Sequence, residues 1–93
     1  MPYTYMVQCA DGSYYTGWTT DLENRIKKHN QGNGARYTRY RRPVELVYWE
    51  YQPTRSAALR REYILRRLKR AEKKKIVTAF RKTDTGKQQK KRS

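Results

Sequence analysis

The sequence predicts an α+β domain (α/β in the broad sense), in which a small three-stranded antiparallel sheet is flanked by about three helices. Two strand-like segments, at residues 3–9 and 14–19, enclose an Asp-Gly pair. That pair is a strong local signal for a β-hairpin, because glycine takes a positive φ without steric cost. The capped start of a helix follows, and a third strand-like segment precedes two stretches of helical periodicity.

The first helix is predicted from residue 21 to about residue 30. Thr20 and Glu23 stand three residues apart, the pattern of a capping box in which each side chain accepts from the other residue's amide. Gly32 fits the left-handed position just past the helix end. Residues 31–43 are then predicted to form an exposed loop.

The second half of the domain is predicted to add one strand and two helices. Residues 44–51 place apolar side chains on both faces of a strand, and Thr54 is the expected N-cap of the next helix. The apolar positions of that helix follow the helical period, which predicts that they face the sheet. They are Ala57, Ala58, Ile64, Leu65 and Leu68. A third, short helix is predicted around Ile76, Val77 and Phe80.

The formal net charge of +15 predicts a polyanionic partner, either nucleic acid or an anionic membrane surface. Residues 81–93 hold six Lys or Arg side chains and no large apolar one, which predicts a basic disordered tail after a domain of residues 1–80. The membrane alternative has little support, because the core accounts for the apolar residues of the helices.

Cys9 is the only cysteine, so no disulfide can form within a monomer, and its place in a predicted strand indicates a buried thiol. No apolar run approaches the roughly 18 residues of a membrane-spanning helix, and no signal peptide opens the chain. We therefore expect a cytoplasmic monomer that needs no small-molecule cofactor.

Glu62 stands out among the acidic residues. It is the only acid between Pro53 and Ala71, a segment that holds seven Lys or Arg residues, and on a helix it borders the predicted apolar stripe. Two interpretations are open from the residues alone. Glu62 is either a metal ligand or one half of an exposed ion pair with Arg66 at i+4, worth about 0.3 to 0.5 kcal/mol.

Four further residues are candidates for chemistry. Arg25 and His29 are four positions apart and share one face of the first helix, while Tyr5 and Tyr15 lie in the first two strands. By themselves these residues have ordinary explanations: a surface arginine, a packed histidine and two core tyrosines. The choice between the two interpretations depends on whether they meet in space.

A basic and aromatic segment in the predicted loop fits nucleic acid. Arginines hold phosphates bidentately and exposed tyrosines stack on bases, whereas the alternative is a solubilising loop with a tyrosine folded back. The candidate contact residues are Arg36, Tyr37, Arg39, Tyr40, Arg41 and Arg42.

The order and spacing of these features resemble the GIY-YIG nuclease family, and in particular its small stand-alone bacterial branch. The two name motifs fall on residues 3–5 and 15–17, although Tyr3, Thr4 and Thr16 replace residues of the name motifs. The run from Cys9 to Gly17, the segments 37–39 and 42–46, and Arg61-Glu62-Tyr63 extend the resemblance over roughly residues 2–80.

The resemblance implies a role for each candidate. Tyr5 would orient or deprotonate the attacking water, Tyr15 would position it, and Arg25 and His29 would hold the scissile phosphate. Glu62 matches the family's metal-binding glutamate, which implies one Mg²⁺ or Mn²⁺ ion per site. A phenol has a reference pKa of about 10, and we expect Arg25 and a bound metal to lower it.

Two functions remain in competition. The first is a metal-dependent endonuclease that hydrolyses DNA of branched, damaged or single-stranded form. The second is a non-catalytic nucleic-acid-binding module with the same fold and charge. The asparagine that many fused members carry after the glutamate is absent, since Asn24, Asn30 and Asn33 all precede Glu62.

If Tyr5 and Tyr15 share a site, the hairpin must place both side chains on the same face of the sheet. With a two-residue turn at Asp11-Gly12, Tyr5 and Tyr15 would point to opposite faces of the sheet, because side chains alternate with a period of two. We therefore predict an odd-length loop or a bulge between residues 11 and 13.

Overall fold

The computed structural model describes residues 1–82. The predicted α+β fold is confirmed: one antiparallel sheet has β1 at its centre, β2 and β3 at its edges, and four helices around it. In chain order the elements are β1 (Tyr3–Gln8), β2 (Tyr14–Thr19), α1 (Leu22–Asn30), α2 (Arg36–Arg39), β3 (Glu45–Tyr51), α3 (Arg55–Arg66) and α4 (Arg70–Arg81).

The hairpin between β1 and β2 has the predicted odd-length loop. The Cys9 amide donates to the Ser13 carbonyl at 2.8 Å, which leaves three residues in the loop, and Gly12 takes the positive φ of 87°. Tyr5 therefore lies opposite Gly17, and Val7 opposite Tyr15. Because residues of equal parity share a face, both candidate tyrosines point to the same side of the sheet.

The two faces of the sheet are covered by different helices. On one face, Tyr5, Val7 and Cys9 pack with Val44 and with side chains of α1. On the other face, Met6 and Val47 pack against Val77 of α4, and the Thr4 hydroxyl donates to the Ala58 carbonyl of α3 at 3.0 Å. Both faces of β3 are thus covered, and the Cys9 thiol is buried, as predicted.

The start of α1 corrects one prediction. Asp21, not Thr20, is the N-cap, and its carboxylate accepts from the Asn24 amide at 3.1 Å. The Thr19 hydroxyl accepts from the Asp21 amide at 3.1 Å, so the residues that satisfy the helix start lie one position away from the predicted pair. Gly32 follows the helix with a φ of 85°, as expected.

The remaining helices confirm the Thr54 cap and correct two predictions, the burial of Ile64 and the absence of a helix from residues 31–43. The Thr54 hydroxyl accepts from the Ala57 amide at 3.1 Å, and Ala58 and Leu65 are fully buried. Ile64 is 44% exposed, because its neighbour Leu65 occupies the direction that faces the sheet. The predicted loop at 31–43 contains α2, a single helical turn.

The end of α4 lies at Arg81, so the last helix reaches one residue past the predicted domain limit. The basic tail predicted for residues 81–93 falls, from residue 83 onward, outside the described residues. Within residues 1–82, no helix is long and apolar enough to cross a membrane.

Candidate active site

Tyr5 is the centre of the candidate site. Its side chain is fully buried under α1, and its hydroxyl lies 2.8 Å from His29 Nε2. Arg25 Nε donates to the same hydroxyl at 3.3 Å. Since Arg25 and His29 stand one helical turn apart, α1 presents both side chains to one phenol oxygen.

Gly17 explains how the Tyr5 ring fits into the site. Tyr5 and Gly17 are cross-strand partners, and a Cβ at Gly17 would lie 2.7 Å from Tyr5 Oη and 2.9 Å from Cζ. It would also lie 3.2 Å from Cε2 of Tyr15. The absence of a side chain at this position therefore lets the phenol lie across β2, so glycine is required here for space.

His29 is held in one orientation by Thr38. His29 and Thr38 are both fully buried, and Nδ1 lies 2.7 Å from the Thr38 hydroxyl, which itself donates to the Ala35 carbonyl at 3.0 Å. The Ala35 amide also approaches Nδ1, at the longer distance of 3.4 Å. We assign the shorter contact: Nδ1–H donates to Thr38, Nε2 is left as the acceptor, and the Tyr5 hydroxyl donates to it.

Gly34 completes the pocket around the imidazole. A Cβ at Gly34 would collide with His29 Nδ1 and lie 2.8 Å from the His29 Cα. The candidate residues predicted from the sequence include neither Gly34 nor Thr38. No local pattern marks either residue, because their contacts depend on how the segment after α1 folds back over that helix.

Burial sets the protonation states of the pair. Burial raises the pKa of Tyr5 to about 12, although the hydrogen bond and charge of Arg25 act in the opposite direction. Burial, and then the positive charge of Arg25, lower the pKa of His29 to about 4. The expected lowering of the Tyr5 pKa by Arg25 is thus outweighed. At neutral pH a neutral phenol faces a neutral imidazole.

Tyr15 lies beside this pair on the same face. Its ring packs edge-on against the His29 ring at 5.5 Å between centroids and stacks on the Tyr37 ring at 5.9 Å. Its hydroxyl accepts from Arg66 Nη2 at 3.2 Å. Tyr15 therefore joins the catalytic candidates on α1 to the end of α3.

Glu62 is close to the site and is also half of an ion pair. Its side chain is only 15% exposed, and Oε2 lies 2.9 Å from Arg66 Nη2. The negative charge of Glu62 contributes to the raised pKa of Tyr5, so the carboxylate acts on the central phenol. The ion pair with Arg66 is thus formed, and the carboxylate also lies near enough to Tyr5 to act on it. Metal binding by Glu62 stays a prediction.

A metal ion at this site would take a single carboxylate from the protein. Among residues 1–82, no group of three or more His, Cys, Asp or Glu side chains could hold an ion. Such a donor set fits a hard cation such as Mg²⁺, which keeps several waters and takes phosphate oxygens as further ligands. Glu62, whose charge acts on Tyr5, could supply that single ligand.

The basic segment predicted to bind nucleic acid divides into two parts. Arg41 pairs with Asp11 at 3.1 Å and lies 3.9 Å above the Tyr37 ring, while Arg42 Nε donates to the Arg39 carbonyl at 2.9 Å. These contacts hold the segment against the hairpin. The side chains of Arg36, Arg39 and Tyr40 are exposed, Tyr40 by 80%, and have no partner among the described residues.

A sequence model of the GIY-YIG catalytic domain matches residues 1–76 of the chain. The chain belongs to the GIY-YIG family. A UPF0213 protein of Staphylococcus saprophyticus is 53% identical over 76 residues, which cover 82% of this chain and 93% of the relative. A UPF0213 protein of Halobacterium salinarum is 47% identical over 76 residues, which cover 82% of this chain and 99% of the relative.

Two solved structures resemble this GIY-YIG domain. The solution structure of a UPF0213 protein from Bacillus halodurans is 46% identical, with a TM-score of 0.54 and 85% of each chain covered. The solution structure of a protein from E. faecalis is 42% identical, with a TM-score of 0.56, and covers 84% of this chain and 83% of its own. The fold of these small proteins is therefore shared over most of their length.

The two name motifs of the GIY-YIG domain are neighbours in the sheet. They lie on β1 and β2, and the pairing of Tyr5 with Gly17 joins the last residue of one motif to the last residue of the other. The two name motifs are thus held side by side, with Tyr5 buried on the face of the sheet that packs with α1.

Proposed function

We propose that this GIY-YIG protein is a divalent-metal-dependent endonuclease that hydrolyses phosphodiester bonds in DNA. The observation that supports it best is the hydrogen bond between the buried Tyr5 hydroxyl and neutral His29 Nε2, at 2.8 Å. Arg25 and Glu62 lie beside that pair, so groups suited to act as base, phosphate-binding cation and metal-binding carboxylate are close together. Phosphodiester hydrolysis needs a deprotonated water and cations near the developing charge, and usually a metal.

Proton transfer through Tyr5 is the proposed base mechanism. The Tyr5 oxygen takes a proton from the attacking water while its own proton moves to His29 Nε2, so the phenol remains neutral before and after. A free phenolate is not required, which matters because the Tyr5 pKa is about 12. The bond from water oxygen to phosphorus forms as the bond to the leaving oxygen breaks, and the leaving alkoxide takes a proton from solvent.

Substrate binding would strengthen this base. The positive charge of Arg25 is one cause of the low pKa of His29. A phosphate on the Arg25 guanidinium would neutralise that charge and raise the affinity of Nε2 for a proton. His29 would therefore become a better acceptor when a phosphodiester is in place.

Glu62 would hold the metal ion, Mg²⁺ or Mn²⁺ with one ion per site, and GIY-YIG nucleases generally use divalent metals. When bound, such an ion supplies positive charge to phosphate oxygens. Arg36, Arg39 and Tyr40 would contact the DNA outside the site, because they are exposed and without partners among the described residues. We propose branched, damaged or single-stranded DNA as substrate.

A cleavage assay over branched, single-stranded and duplex DNA, with Mg²⁺, tests this function. Glu62→Gln is expected to abolish cleavage, and Glu23→Gln, which removes an exposed acid of α1, is expected to cleave like the wild type. Equal activity of the Glu62 variant and the wild type would exclude the proposed metal site.

The second candidate function is a binding module without turnover. The ion pair of Glu62 with Arg66 favours it, because a carboxylate that already has a cation partner does not require a metal. Tight, salt-sensitive DNA binding by a wild type that cleaves no substrate in the panel would establish this alternative.

A further inference from the structure

A basic depression, separate from the candidate active site at Tyr5, lies where the hairpin loop meets the first turns of α4. Four side chains line it: Ser13 and Tyr14 from the hairpin, and Arg70 and Lys73 from the helix. Arg70 and Lys73 are three positions apart and so lie on one side of α4. The Arg70 guanidinium lies against the loop, with Nη2 3.2 Å from the position that a Cβ at Gly12 would take.

The positive charges of this depression have no acidic partner in the part of the chain that the structure describes. The ion pairs there join Arg41 to Asp11, Arg61 to Glu50 and Arg66 to Glu62. Nearby Glu72 accepts from the Lys69 amide at 3.1 Å and serves the start of α4. The Tyr14 hydroxyl, which can donate to an anion, also has no hydrogen-bond partner within residues 1–82.

Arg66 connects the depression to the candidate active site. Its Nη2 donates to the Tyr15 hydroxyl at 3.2 Å. Its charge also acts on Lys73, whose pKa is lowered first by burial and then by Arg66. Arg66 is paired with Glu62, whereas Arg70 and Lys73 have no acidic partner within residues 1–82. Neighbouring cations repel one another, and an anion placed between Arg70 and Lys73 reduces that repulsion.

We propose that Ser13, Tyr14, Arg70 and Lys73 form a second phosphate site, which binds a backbone phosphate of the substrate strand beyond the scissile one. This second site rests on the proposed function, since it assigns a path over the protein to the DNA strand that would be cleaved. The strand would pass from Arg25 beside Tyr5, along Arg66, to the hairpin loop. The depression thus sets the position of the strand before the chemical step.

Matched double variants test this site. Arg70→Gln/Lys73→Gln is compared with Lys74→Gln/Lys75→Gln, which removes the same charge from exposed positions of α4. Binding of fluorescent single-stranded DNA is measured without divalent metal over a range of salt. The site variant is expected to bind roughly tenfold more weakly, with a log–log salt slope shallower by about 0.7. The control variant should lose clearly less of both.

Oligonucleotides with one neutral methylphosphonate linkage, moved along the strand, locate the contact. At one position the wild type should lose affinity while the Arg70→Gln/Lys73→Gln variant loses none. Equal losses for both double variants at every position would overturn the proposal. Arg70→Gln alone replaces the double variant if thermal melting shows that the latter does not fold.

These outcomes are separate from a failure of the proposed function. Binding is measured without metal, so a protein that cleaves nothing can still show the position-dependent loss. Conversely, a wild type that cleaves DNA but shows no position-dependent loss retains the proposed function and loses the second phosphate site.

Discussion

The buried Tyr5 and the half-buried Tyr48 form two hydrogen-bond networks in the same sheet, and the two can be compared. Tyr5 donates to His29 on one face, and Tyr48 donates to Glu50 on β3. Burial is the first cause that raises the pKa of both tyrosines to about 12. The two phenols are therefore alike in acidity and differ in what surrounds them.

The acceptors of the two phenols, Glu50 and His29, differ in how many other hydrogen bonds they accept. Glu50 accepts from Arg61 Nε at 2.7 Å and from Gln52 Nε2 at 2.6 Å, so its carboxylate is tied to α3 and to the end of β3. Within residues 1–82, His29 Nε2 has the Tyr5 hydroxyl as its one hydrogen-bond partner, and Arg25 Nε donates to the same oxygen. A raised pKa alone thus does not distinguish the two tyrosines, because each has an arginine beside it and only the acceptor of the proton differs.

The largest expected effect separates the two networks directly. Tyr5→Phe is expected to lower the cleavage rate by roughly 10²–10⁴-fold, since it removes the group that relays the proton. Tyr48→Phe, which deletes a hydroxyl of the same pKa, should leave the rate nearly unchanged. Single-turnover cleavage and thermal melting of both variants provide the measurement. Equal losses of rate would mean that the networks do not differ in function.

The second prediction concerns stability at low pH. The folded pKa of His29, about 4, lies below its ordinary value of 6.5, so the unfolded chain takes up a proton first as the pH falls. The wild type should lose on the order of 3 kcal/mol of unfolding free energy between pH 6.5 and 4 through this residue. In urea titrations His29→Gln should lack that part of the loss. Parallel curves of unfolding free energy against pH for the wild type and the variant would contradict this role of His29.

Thr38 offers a smaller effect with a matched control. Thr38→Val removes the acceptor for His29 Nδ1–H and leaves Nε2 less firmly oriented, so cleavage should fall by roughly ten- to a hundredfold. Thr4→Val removes another fully buried hydroxyl, which donates to the Ala58 carbonyl at 3.0 Å, and should affect stability more than rate. The same losses of rate in both variants would show that Thr38 acts only through the fold.

The smallest expected effect concerns the cation beside Glu62. Arg66→Gln removes the partner of the carboxylate, so Mn²⁺ should bind severalfold more tightly, in line with a surface ion pair of about 0.2–1 kcal/mol. Arg67→Gln is the control, because Arg67 instead donates to the Tyr63 hydroxyl at 2.8 Å. Mn²⁺ binding is measured by electron paramagnetic resonance. Weaker binding in the Arg66 variant would contradict a competition between this arginine and the metal.

The sequence by itself determined the elements of the fold except α2, and the residues to consider except Gly34 and Thr38. Gly12 in the hairpin loop, the Thr54 cap and Gly32 after α1 were predictable because each depends on bonds between near neighbours in the chain. The odd length of the hairpin loop was predicted only from the requirement that Tyr5 and Tyr15 share a site. The helical period also placed Arg25 and His29 on one face of α1. The first cap was assigned one residue too early, since several hydroxyl and carboxyl groups compete at residues 19–21.

Only the tertiary structure decided which of these residues meet, and in what state. The contacts of Tyr5 with His29, of His29 with Thr38 and of Tyr15 with Arg66 join residues 24, 9 and 51 positions apart. They depend on the cross-strand pairing of Tyr5 with Gly17 and on the packing around Gly34, and no local sequence pattern encodes either. Burial then set the direction of both pKa shifts, because desolvation of a side chain arises only when distant parts of the chain cover it.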